Sequence, residues 1–105
     1  MAAAGRGVVV VAMSDFGRRV RANRSGGTDH GHGGCWFVMG DGVLGGRMAG
    51  RWPGLKADQM DQGLDLAVAN DYRMVLGETL AFVGLNAGAA FPDYKPTGKS
   101  LGLFG

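Results

Sequence analysis

Both histidines of the chain lie in one short run, Ser25-Gly26-Gly27-Thr28-Asp29-His30-Gly31-His32-Gly33-Gly34, together with a carboxylate. Imidazole and carboxylate are standard ligands of zinc, and the flanking glycines let the backbone turn where side chains would forbid it. Asp29, His30 and His32 are therefore candidate ligands of a divalent metal, with zinc first among the metals considered. The competing reading is a solvated surface turn, because Asp-His-Gly-His lacks the long-range ligand spacing of a zinc finger.

A second candidate ligand stands upstream. Gly7 to Met13 is a continuous apolar, β-branched stretch, the pattern of a strand buried on both faces of a parallel sheet. It ends in Ser14-Asp15-Phe16-Gly17-Arg18-Arg19. In open α/β sheets ligands bind beyond the carboxyl ends of strands, so Asp15 is placed to hold a metal or polarise a substrate. Its alternative role is a cap on nearby backbone N–H groups.

Several ordered motifs carry a family resemblance. Ser14-Asp15-Phe16-Gly17-Arg18, Gly26 to Gly33, a strand ending at Gly40, Gly45-Gly46-Arg47, Arg51-Trp52-Pro53-Gly54-Leu55 and Asn70-Asp71-Tyr72-Arg73 together resemble the C-terminal part of the bacterial domain of unknown function 1501. Longer members of that family usually carry a twin-arginine export signal, and the family is similar to the alkaline phosphatase and sulfatase superfamily. The resemblance implies an α/β fold: a partial alkaline-phosphatase-like sheet with short strands, one clear C-terminal helix and many glycine-rich loops, forming part of a larger domain. It also implies a metal site drawn from Asp15, Asp29, His30 and His32, with His30 slightly favoured over His32. Phe16 stands where the superfamily often has a ligand histidine. Arg18 matches a position often basic in the family, where a guanidinium could bind an anion bidentately.

The implied activity is hydrolysis of phosphate or sulfate esters, with this chain supplying part of the metal site. A missing N-terminal half or a partner chain would complete it. Ser14, Ser25 and Ser100 have no activating base at recognisable spacing, so no nucleophile is assigned. The alternative is a non-catalytic binding or scaffold module.

Composition bounds these expectations. The chain has 105 residues, 46% of them hydrophobic, which supports one compact unit with a modest core. Its 21 glycines show no triplet period and read as tight turns and close backbone approaches. The formal charge is +2, and the cluster Arg18, Arg19, Arg21 and Arg24 lacks the interleaved aromatics of a nucleic-acid binder, so no nucleic-acid partner is expected. The single Cys35 reads as a small hydrophobe inside a strand. Met1 to Arg6 and the short apolar run behind it make neither a signal peptide nor a membrane span.

The elements that must position the candidate site follow from pattern. Cys35 to Met39 reads as a second strand, followed by a turn at Gly40-Asp41-Gly42 and a short Val43-Leu44 extension in the manner of a hairpin. Gly45 to Arg51 is irregular, and Trp52-Pro53-Gly54-Leu55 is a turn with Trp52 anchored on the core. Lys56 to Gly63 is a polar connection and Leu64 to Ala69 a short strand. A helix starts at Asn70 or Asp71 and runs to about Val83, with Tyr72, Val75, Leu76, Leu80 and Val83 on one face. Residues 84–105 are expected to form a loosely attached tail.

Overall fold

The computed structural model describes residues 7–95 and 100–105. The segment Met1 to Arg6, with the expectation that it targets nothing, and tail positions 96–99 lie outside the described residues. The described residues are mixed α/β, with two small sheets and two helices. By its internal contacts the chain divides into two compact units, one from Met1–Val11, Val38–Gly50 and Asn70–Gly105, the other from Ala12–Phe37 and Arg51–Ala69.

The first unit holds all but Ala12 of β1 (Val9–Ala12) and all but Phe37 of β4 (Phe37–Gly40), which make a two-stranded sheet. The apolar run of β1 is not covered on both faces. Val9 and Val11 are half-buried, whereas Val8 is 70% and Val10 47% exposed, because a strand's side chains alternate between faces and one face of this sheet is open. The second strand begins at Phe37, two residues later than expected, and this leaves Cys35 exposed.

Helix α1 (Tyr72–Phe82) matches the expected span closely. Asp71 is its N-cap, accepting the Arg73 backbone N–H at 2.9 Å, and the Arg73 guanidinium bonds both oxygens of the same carboxylate. Those hydrogen bonds hold the Asp71 carboxyl below its usual pKa. At the far end the Val83 N–H bonds Thr79 O, and Gly84 follows with φ +86°, the left-handed conformation that ends helices. A short second helix, α2 (Ala87–Ala90), is capped by Asn86, whose side chain accepts the Gly88 N–H at 2.9 Å.

Among the described residues, the last ones contact distant parts of their own unit. The Glu78 carboxylate accepts the backbone N–H groups of Leu101 and Leu103, Phe104 stacks on Phe82 at 4.4 Å, and Leu103 is buried. Val43 pairs with Phe104 as an antiparallel bridge, and Leu44 N–H bonds Leu103 O. The Val43-Leu44 extension thus takes its partner from residues 103–105, so the expected hairpin with the preceding strand does not form.

In the second unit, β2 (Gly17–Arg18) and β3 (His30–Gly31) are antiparallel, with Gly17 opposite Gly31 and Arg18 opposite His30. The loop between them closes on Asn23, whose side chain accepts N–H groups from Ser25 and Gly27. Trp52 is 62% exposed and does not anchor its loop. The expected strand Leu64 to Ala69 is replaced by a tight turn: Gln62 (φ +53°) and Gly63 (φ +69°) reverse the backbone, and Asp61 pairs with Asp65 across the turn. None of the helices among the described residues is long and apolar enough to cross a membrane.

Candidate metal centre

The turn Asp61-Gln62-Gly63-Leu64-Asp65 brings two aspartates to its two ends. Asp61 N–H bonds Asp65 O at 2.8 Å, and Leu64 N–H bonds Asp61 O at 3.0 Å. Asp65 has a second antiparallel partner, Arg19, next to a bond from Val20 N–H to Leu64 O. Residues directly opposite in an antiparallel pair project to the same face, so the side chains of Arg19, Asp65 and Asp61 form a row.

His32 reaches this row because glycine flanks it on both sides. A Cβ on Gly31 would stand 2.6 Å from the Asp65 carboxylate, and one on Gly33 would overlap the backbone carbonyl of Leu66. Without side chains there, the backbone comes close enough for Gly33 N–H to bond Leu66 O at 2.9 Å and for His32 N–H to donate to Asp65 Oδ2. The His32 ring then meets Asp61, Nδ1 to Oδ2. His32, Asp61 and Asp65 offer one ligand atom each, all within 4.8 Å of one another. Among the described residues this is the group of histidine and carboxylate side chains that could hold a metal ion.

Burial differs across the group. Asp65 is only 5% exposed, the Asp61 side chain 30% and the His32 side chain 71%, so the ligand set is closed behind and open in front. In front lies a cleft of about 270 Å3, lined also by Phe16, Arg19 and His30.

Two carboxylates beside one imidazole favour its charged form. The hydrogen bond to Asp61, then the charges of Asp61 and Asp65, raise the His32 pKa above 6.5. Folding of the metal-free protein is stabilised by this pair at pH below 6.5, where the histidine is protonated in both states, and the contribution disappears as pH rises through the raised folded value. Melting temperatures in chelator should therefore separate wild type from His32→Gln on the acid side of neutrality and converge at higher pH. Metal affinity should run the other way, rising with pH as the competing proton leaves the imidazole.

The structure distributes the four expected ligands unevenly. His32 joins the cluster. His30 instead stacks its ring on Phe16 at 4.0 Å, so the phenylalanine expected in place of a ligand packs against the histidine expected to be one. Asp29 accepts from Asn23 Nδ2 at 3.2 Å and lies 3.9 Å from Arg19, and Asp15 is exposed. Arg18, expected to hold an anion, donates to Thr28 O at 2.8 Å and lies over the Phe16 ring. Asp61 and Asp65 were not among the expected ligands. Their signal was the Gln-Gly pair between them, a turn that brings residues four apart face to face.

The fold and cluster describe a small mixed α/β protein with a histidine–aspartate group able to hold a metal ion. The chain belongs to the family described as Protein of unknown function (DUF1501), whose model matches residues 3–82 and so includes every residue of the cluster. It shows no match to a curated protein and none to a solved structure.

Proposed function

We propose that His32, Asp61 and Asp65 hold a divalent metal ion, zinc first among candidates, and that this centre serves a hydrolase of phosphate or sulfate esters of the alkaline phosphatase and sulfatase kind. The observation that carries the reading is the convergence of one imidazole and two carboxylates within 4.8 Å. One histidine and two acidic ligands with an open front fit the three-ligand pattern of catalytic zinc sites, in which the fourth position stays free for water or substrate. When bound, the metal would supply Lewis-acid stabilisation of charge on the transferring group.

The residues of this chain divide the work. Asp65, buried and already bonded to the His32 backbone, sets the back of the site, while His32 faces the cleft. Ser14 Oγ donates to Phe16 O and Ser100 Oγ accepts the Gly102 N–H, so neither hydroxyl is set up as a nucleophile. The attacking group would come from a further segment or partner chain, as in the longer family members expected to be exported by the twin-arginine route, and no nucleic-acid or membrane partner is proposed. A second reading, a binding or scaffold module without turnover, is favoured by the packing of Phe16 on His30, which occupies positions where ligands were expected.

The test is metal content. Elemental analysis of the purified protein should give one zinc per chain, lost in His32→Ala and retained in His30→Ala and Asp15→Ala. Zinc retained by His32→Ala, or absent from wild type, would end the metal reading. Zinc bound without turnover of aryl phosphates or sulfates by the full gene product selects the scaffold module.

A further inference from the structure

We propose that Arg19, and not its neighbour Arg18, is the anion-holding residue of the His32–Asp61–Asp65 centre, with a tetrahedral oxyanion of the phosphate or sulfate type as its ligand. The proposal rests on the reading of that centre as a metal site and adds to it a residue that nothing in the sequence distinguished from its neighbours.

The argument begins with strand alternation. Arg18 and Arg19 are adjacent in extended backbone, so their side chains leave on opposite faces. Arg18 lies opposite His30, and Arg19 lies opposite Asp65. The direct partner relation puts the Cβ atoms of Arg19 and Asp65 about 5 Å apart on one face. Asp61 is related to Asp65 in the same way, so Arg19, Asp65 and Asp61 project to one face across three backbone segments, and Asp29, 3.9 Å from the guanidinium, stands on the other side of Arg19. Arg19, Asp61, Asp65 and His32 all line the same cleft. The backbone of Arg19 is held from both sides, its N–H bonding Asp29 O at 2.9 Å while the next residue bonds Leu64 O at 3.0 Å.

The guanidinium itself is far less restrained. It is 43% exposed and its ion pair with Asp29 is long, at 3.9 Å, a surface contact of little strength. Arg18 is committed elsewhere, to the Thr28 carbonyl and the Phe16 ring. Asp61, Asp65 and the His32 imidazole on one side of Arg19, with only the weak Asp29 pair on the other, leave room for two ligands at once. The carboxylates and imidazole would hold a metal ion, and the planar guanidinium fork would take two oxygens of an anion bound beside it. Without the metal, two carboxylates would repel that anion. The ligand class is taken from the proposed centre: an oxyanion of the phosphate or sulfate type, with two oxygens for the fork.

The experiment titrates inorganic phosphate, and separately sulfate, into the zinc-loaded full chain, with zinc stoichiometry measured in every variant. Wild type should bind phosphate; Arg19→Gln should keep its zinc and lose phosphate affinity by about tenfold or more, the scale of a charge-assisted hydrogen bond. Arg18→Gln should stay within about twofold of wild type. Arg19→Lys, which keeps the charge and the stem but not the fork, should fall between them and covers the case in which Arg19→Gln folds poorly. Unchanged phosphate affinity in zinc-loaded Arg19→Gln, an equal loss in Arg18→Gln, or no phosphate binding by zinc-loaded wild type would overturn the role of Arg19 and leave the metal reading standing. Absence of zinc from wild type would overturn both.

Discussion

Gly33→Ala should remove metal binding and lower the stability of the protein by about 1–3 kcal/mol, the usual range for forcing extra atoms into a close-packed contact. Gly33 is buried, and its missing Cβ would overlap the carbonyl oxygen and carbon of Leu66. These are backbone atoms, so no flexible side chain can move aside. The strain would fall on the Gly33 N–H bond to Leu66 O, which joins the His32 segment to the Asp61–Asp65 turn. As that bond lengthens, His32 withdraws from both aspartates, and zinc affinity should drop by at least about tenfold, as it does when supporting groups around a metal are lost. Gly27→Ala is the matched control from the same glycine-rich run. Its Cβ would meet nothing closer than the Asn23 side chain at 4.0 Å, and a surface change of that kind stays within about 0.5 kcal/mol. Zinc titration and thermal melts of the two variants decide the matter, and wild-type zinc affinity in Gly33→Ala would show that the close approach does not position the cluster.

Asp65→Asn should separate the structural role of this residue from its role as a ligand. The Asp65 carboxylate is almost fully buried and accepts the His32 backbone N–H. Asparagine keeps an oxygen for that bond and removes one of two neighbouring negative charges, so the metal-free variant should melt within about 1 kcal/mol of wild type. Alanine offers no acceptor, and leaving the His32 N–H without a partner should cost about 1–3 kcal/mol. Zinc should be lost in both. The expected fall exceeds about 100-fold, since even outer-shell partners of a metal are worth about 10–100-fold. Melting in chelator and zinc titration supply the two readouts. An asparagine variant that is unstable yet binds zinc normally would make Asp65 a structural residue and not a ligand.

The parts of the fold that were legible in the sequence are those made by near neighbours. Helix α1 was readable because its start depends on Asp71 accepting a bond from a residue two positions on, and its end on a glycine just after Val83. The strand at Val9–Ala12 was readable in position but not in burial: four consecutive apolar residues suggest two covered faces, and the two-stranded sheet covers one. The strand expected from Leu64 to Ala69 failed for a local reason. Gln62 and Gly63 form a turn whose return limb is paired at Asp65 and then departs. The C-terminal residues were unreadable because the groups that hold them, Glu78, Phe82 and the segment near Val43, are far away in sequence.

By itself the sequence determined which kinds of ligand the protein could offer: imidazole and carboxylate among glycines, an arginine pair after a strand, and a capped helix. Those properties belong to single side chains or to residues within a helical turn of each other. Only the tertiary structure decided which of them meet. His32 finds Asp61 and Asp65 across 29 and 33 positions of chain, while His30, two residues earlier, packs on Phe16. The physical reason is that β3 ends at Gly31, so the partner each imidazole meets is set by which distant segment lies beside it, while alternation along extended backbone separates only immediate neighbours. Adjacent residues of identical type, such as Arg18 and Arg19, therefore face different surroundings that no local pattern can tell apart.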